Sequence, residues 1–398
     1  MPDPSPAAPP ARSGPLAGLK VLELGHYIAG PFCTRVLADL GAEVIKVEPP
    51  GGDPIRGWGG RANGHPVWFS IHGRNKLSVV LDLKQDRATA LRLAARADVI
   101  VENFRPGYLE RIGLGPADIH AANPRAVIAR ISGYGQDGPY RDRPSFGAIG
   151  EAMGGLRHLT GHPAGASELP PPRCGVSIAD DLAGLYAAIG LLAAVYQRDV
   201  AGSGRGRIID VNLVDSVLSL MEGMLPEYAI DGRIRQPQGA AIVTAAPTNT
   251  YACADGRFLC IAGNSDLIFR RLAAVIGRPE LADDARYLDN RARCANVSDL
   301  DAIIAAWTRA RPAAEAEALL EAADVPASKL FDIADIAADP HLRARGSVLD
   351  VEDRLIGRTL HFGTAMRFDG EAPADFLGWT GPALGEHTEY VLGTLLGA

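Results

Sequence analysis

Aromatic residues are scarce: Phe, Trp and Tyr together make up 6% of the 398 residues, although 47% of the chain is hydrophobic. A core built this way is mostly aliphatic and alanine. Cysteine is also sparse, with five residues (33, 174, 253, 260 and 294) and no CxxC pair. That spacing excludes a disulfide framework and a zinc ribbon, and reads as reduced thiols in a cytoplasmic setting. No HExxH or comparable ligand spacing occurs, so no metal site is expected. Excess positive charge is missing as well. The formal charge is -7, which argues against non-specific nucleic-acid binding but leaves room for a local basic pocket. No run approaches the apolar length needed to cross a membrane. The opening "MPDPSPAAPPARSG" lacks the apolar core of a signal peptide, and residues 1–14 are expected to be a disordered leader.

Short apolar runs alternating with amphipathic stretches are what is there. "LKVLELG" reads as a strand, "PFCTRVLADLGA" as a helix with Pro31 at its first turn, and "EVIKVEP" as a strand. The pattern continues through "LSVVLDL", "QDRATALRLAARA", "DVIVENF" and "AVIARISGYG". It predicts an α/β fold with a parallel sheet covered by helices. "DLAGLYAAIGLLAAVYQR" is apolar around most of its circumference and reads as a helix buried by neighbours. From 226 the composition turns loop-like. A hairpin about Asp255-Gly256 and three helical patterns follow. The predicted organisation is a large domain over 15–225, a smaller one over 226–325, and a tail, 326–398, that returns to the large domain.

Ligands in open α/β sheets bind beyond the carboxyl ends of strands. Three stretches occupy such ends: His26 to Pro31, Asn103 to Arg105, and Gly133-Tyr134. The first of these, "GHYIAGP", lacks the GxGxxG spacing of a dinucleotide site. Arg105 and Arg111 lie just past one strand, and Arg74 and Lys76 just before another. Such cations hold phosphates or stand as solvated surface charge. His26 and His158 serve packing or hydrogen bonding as readily as catalysis. Asp180, in "GVSIADDLAG", suits a helix N-cap. An ionised carboxylate there can also attack an acyl carbon.

Taken together, "PLAGLKVLELGHYIAGPFCTRVLADLGAEVIKVEPPGGDPIRGW", "GRNKLSVVLDLK", "ADVIVENFRPGYLERIGLG", "ISGYGQDGPYRDRP" and "GVSIADDLAGLYAAIGLLAAVYQR" resemble the class III coenzyme A transferases from about residue 15 to the C-terminus. The resemblance implies a Rossmann-like large domain, a small domain and an interlocked homodimer. It implies that Asp180 is the nucleophile and that a CoA thioester is substrate, with no tightly bound cofactor. For CoA contacts it implies Ile28 and Ala29, then Arg74, Asn75 and Lys76, then Asn103, Phe104 and Arg105, with Arg111, Gly133 and Tyr134. Pro49 stands where some members carry an arginine.

"RPSFGAIGEAMGGLRHLTG" is similar to members acting on C4–C5 dicarboxylates with succinyl-CoA as donor. His26, Arg157 and the Gly239 loop are substrate-side candidates, and Arg143 is a second cation for the far carboxylate. Two alternatives share the pattern. An α-methylacyl-CoA racemase would need a histidine where Ser145 stands. A non-catalytic CoA-binding protein would not need Asp180.

Overall fold

The computed structural model describes residue 10 and residues 12–397. Most of the expected leader, residues 1–9 and 11, lies outside the described residues. Its end does not dangle: the Arg12 guanidinium donates to Ala38 O at 3.0 Å and to Phe376 O at 2.8 Å.

Two compact units form. The larger takes residues 1–157, 173–233 and 339–398. Its sheet has six strands: β1 (Lys20–Glu23), β2 (Glu43–Glu48), β3 (Lys76–Val80), β4 (Val99–Glu102), β5 (Val127–Ser132) and β6 (Ile208–Asn212). All pairings are parallel, in the order β3-β2-β1-β4-β5-β6. The order reverses between β1 and β4, so the crevice beyond their carboxyl ends is the topological switch point. Every residue of β4 and β5 is buried, which explains why they read as continuous apolar runs and not as alternation.

The sheet also carries a buried ionic cluster. Glu23 meets Lys46 at 2.6 Å and Lys76 at 2.8 Å, and Lys46 meets Asp53 at 2.7 Å. Burial alone would raise the Glu23 carboxyl, but the two ammonium groups outweigh it and hold it at about 2. Lys46 also donates to Gly25 O at 3.1 Å, so the cluster braces the turn after β1.

Two helices place the site. Helix α1 (Ala29–Asp39) follows that turn. The other long helix, Ile178–Asp199, crosses α1 where a Cβ on Gly184 would come 2.9 Å from Ala29 O and 3.2 Å from Cys33 N. Only glycine permits this approach, and it brings the helix's first turn beside the β1 turn.

The membrane expectation is corrected here. Residues 178–199 form a helix that contains an 18-residue stretch of mean hydropathy 1.7, long and apolar enough to span a bilayer by length and composition alone. Its many alanines and glycines hid this in the sequence. Ala183, Gly184, Ala187 and Leu191 are buried in the fold, while Leu185, Tyr186, Ile189 and Tyr196 are exposed.

The smaller unit takes residues 158–172 and 234–338. Its antiparallel sheet includes the hairpin Thr248–Ala252 and Phe258–Ala262, and Ala327–Lys329 pairs beside Phe258–Ala262. The unit therefore runs past 325, because Leu259 pairs with Lys329. It begins later than 226, because Met224–Asp231 is a helix of the larger unit.

Candidate functional site

The turn after β1 is held by side chains from other elements. Asn103, just past β4, accepts from His26 N and donates to His26 O, both at 2.8 Å. A Cβ on Gly25 would sit 2.3 Å from Asn103 Oδ1, so this clamp requires the glycine. Tyr27 adopts φ 62°, an uncommon conformation for a side-chain-bearing residue, and its N–H donates to Asp53 Oδ1 at 3.0 Å. The His26 ring packs edge-on against Phe104 at 5.2 Å. Burial, then nearby Lys46, lowers the His26 pKa, so the imidazole is neutral at neutral pH.

Asp180 is not the N-cap. The helix begins at Ile178, with Ser177 in the cap position, and Asp180 is its third residue. A Cβ on Gly147 would lie 2.1 Å from Asp180 Oδ2. The missing side chain at Gly147, which opens helix α2 (Gly147–Met153), is what makes room for the carboxylate. In chain order the Ile178–Asp199 helix is then α3. Its titration also departs from that of an ordinary carboxylate. Burial, then the adjacent Asp181, raises its pKa to about 7, against the pull of Arg173. Desolvation outweighs the favourable helix terminus.

The parts converge on one cavity of about 240 Å³. His26, Ala29, Asn103, Phe104, Arg105, Gly133 and Asp180 all line it. Tyr27, Arg141, Ser145 and Phe146 line it too, and were not singled out as site residues from sequence. For Arg141 the signal was present: "PYRDRP" places two arginines after a third strand end. Arg143 also lines the cavity and stacks over Tyr140 at 3.6 Å. Arg111 and Arg141 converge on Gly107, where a Cβ would be 3.3 Å from one guanidinium and 3.6 Å from the other. Two like charges placed together at a strand end favour an anion between them.

Other expected contacts fall elsewhere. Arg74, Asn75 and Lys76 are 2%, 1% and 0% exposed. Arg74 donates to Asp39 Oδ1 at 2.9 Å and Phe362 O at 2.7 Å, and Asn75 to Asp39 Oδ1 at 3.0 Å. Lys76 holds Glu23. These cations brace the fold, leaving no face for a phosphate. Ile28 lines a second cavity, with Phe32, Trp58 and Trp68. Tyr134 packs against Tyr140 at 5.9 Å. Arg157 lies 3.7 Å from the buried Glu151. Gly239 belongs to the smaller unit, where its N–H donates to Gly161 O at 2.8 Å.

Residues 16–388 match CoA-transferase family III. The chain belongs to this family. The transferase is 45% identical over 387 residues to a succinyl-CoA–D-citramalate CoA-transferase of Chloroflexus aurantiacus, covering 96% of this chain and 94% of that one. It is 38% identical to the beta subunit of a succinyl-CoA–L-malate CoA-transferase from the same organism, covering 96% and 94%. It is 34% identical to a succinyl-CoA:glutarate CoA-transferase of Mus musculus, covering 96% and 86%. Among solved structures, a CAIB/BAIF family protein from Brucella suis superposes with a TM-score of 0.82 at 34% identity, covering 95% of this transferase and 98% of that chain.

Proposed function

We propose that this transferase moves CoA from succinyl-CoA to a free C4–C5 dicarboxylic acid, with Asp180 as nucleophile. The observation that carries the reading is the placement of Asp180 in the switch-point cavity, in space left by Gly147. An Asp180 oxygen attacks the thioester carbonyl, the C–S bond breaks, and CoA leaves as the thiolate. The thiolate attacks the aspartyl carbon of the resulting anhydride, expels the donor acid and leaves CoA on Asp180 as a thioester. The acceptor carboxylate attacks that thioester, re-forming an anhydride and the thiolate. Attack of the thiolate on the acceptor's acyl carbon releases the new acyl-CoA and regenerates Asp180. One thioester replaces another, so no cofactor or metal is called for.

The Arg111–Arg141 pair and Arg105 suit the phosphates of CoA, and the Asn103-clamped turn suits its pantetheine arm. The exposed face of α3, with Ile189 61% and Tyr196 62% exposed, supports an interlocked homodimer in which a second copy covers it. The five free cysteines support a cytoplasmic setting. Incubation with succinyl-CoA and citramalate, malate or glutarate, followed by mass detection of new acyl-CoA, tests the reading. Transfer to at least one acid is expected. Absence of transfer to any, with α-proton exchange instead, would overturn it in favour of an isomerase.

A further inference from the structure

One chain of buried charge takes no part in the transfer chemistry. Arg130, on β5, is 7% exposed and does not line the cavity of Asp180. Its Nε donates to Glu102 Oε1 at 2.8 Å. Its Nη1 stands 2.9 Å from Glu110 Oε1, and its Nη2 donates to Glu110 Oε2 at 3.2 Å. The guanidinium fork thus presents separate N–H groups to two carboxylates at once.

Each carboxylate carries a different part of the site. Glu102 ends β4, and its other oxygen accepts from Phe104 N at 2.8 Å. That bond shapes the turn that presents Asn103, Phe104 and Arg105 to the cavity. Glu110 belongs to the helical turn Tyr108–Arg111 and sits beside Arg111. Arg111 and Arg141 are the two guanidinium groups that meet over Gly107. Arg130 therefore ties the segment bearing Arg105 to the segment bearing Arg111.

Neutralising Glu102 accounts for only half of this arrangement. Glu102 is 1% exposed and needs a cation. The Glu110 side chain is 42% exposed and would be solvated without one. The second grip makes sense if what it fixes is the segment and not the charge. Cations held in place before the ligand arrives bind it without an ordering cost. We infer that Arg130 is a positioning residue for the nucleotide half of the acyl-CoA: gripping Glu102 and Glu110 together, it holds Arg105 and Arg111 in register for the phosphates without touching them. This rests on the transfer reading above and adds what sets the affinity for its donor.

The test is the ratio of kcat/KM for succinyl-CoA to that for succinyl-pantetheine, which lacks the nucleotide and its phosphates. The acceptor acid is held constant and the pH set at 8, above the value of about 7 to which burial raises Glu102 against the pull of Arg130. Arg130→Gln is expected to lower the ratio about tenfold, and Glu110→Gln about fourfold, both mainly through the KM for succinyl-CoA. The double variant should lose no more than Arg130→Gln alone, because both changes break one chain of contacts. Glu110→Gln, at a half-exposed side chain, keeps the test open where Arg130→Gln fails to fold. Arg111→Gln is the reference and should lower the ratio at least tenfold. A merely structural role depresses both substrates equally. A ratio that Arg111→Gln moves, and that folded Arg130 and Glu110 variants do not, overturns this inference alone. A ratio that Arg111→Gln leaves unmoved overturns the phosphate assignment and this inference with it. A wild-type enzyme without transfer overturns the transfer reading as well.

Discussion

Replacing Asp180 by asparagine separates the chemistry of this carboxylate from what its charge does to the fold. Its folded pKa is about 7 against an ordinary value of 3.8. At 1.36 kcal/mol per pKa unit, an ionised Asp180 destabilises the native state by up to ~4 kcal/mol. The sign follows from proton binding. Between pH 3.8 and about 7 the native state holds a proton that the unfolded chain has lost, so wild-type stability falls as pH rises across that window. The proton-linked stability is fully present below 3.8 and gone above about 7. An asparagine at this position does not titrate and has no such dependence. Asp180→Asn is therefore expected to be more stable than wild type at pH 8, by ~5 °C in Tm. The advantage should shrink to roughly a third at pH 5 and vanish near pH 3.8. Transfer should be abolished at every pH, while the wild-type rate rises with pH through about 7 as the nucleophile ionises. Thermal melts across pH, paired with rate measurements, check both halves. An Asp180→Asn variant whose stability advantage is absent at pH 8, or as large at pH 5, would refute the desolvation argument.

Three further outcomes follow from the contacts. Gly147→Ala puts a methyl 2.1 Å from the present Asp180 Oδ2, so kcat should fall about 100-fold with acyl-CoA affinity retained, read by steady-state kinetics and calorimetry. Arg74→Ala strips Asp39 of its bidentate partner in the interior and should cost about 3 kcal/mol in urea unfolding, whereas a phosphate-binding arginine would instead weaken CoA binding in a fully stable protein. Under the proposed homodimer, Ile189→Asp, on the exposed face of α3, should shift the mass by light scattering from dimer toward monomer; a wild-type protein that is already monomeric, or a variant that stays dimeric, would refute that face as the subunit contact.

The parallel sheet was legible because β4 and β5 are buried on both faces and so appear as unbroken apolar runs. The switch-point turn was legible because the apolar run "LKVLELG" stops at Gly25 and a helical pattern with Pro31 in its first turn follows. What it packs against was not. The sequence shows Arg74, Asn75 and Lys76 as a cationic cluster. It does not show Asp39 and Glu23, carboxylates 35 and 53 residues away, which neutralise two of them. Gly147 carries no signal of its own until the chain folds against Asp180. Likewise, two adjacent aspartates read as one acidic step, and only the helix geometry turns Asp180 and Asp181 toward separate cavities.

The most direct test is to mix the enzyme with acyl-CoA, trap with hydroxylamine, and map the modified peptide by mass spectrometry. Attack by Asp180 predicts a hydroxamate on residue 180, formed only when acyl-CoA is present and missing in Asp180→Asn. A hydroxamate on Asp181 or another side chain, or transfer that proceeds with none at all, would contradict the account.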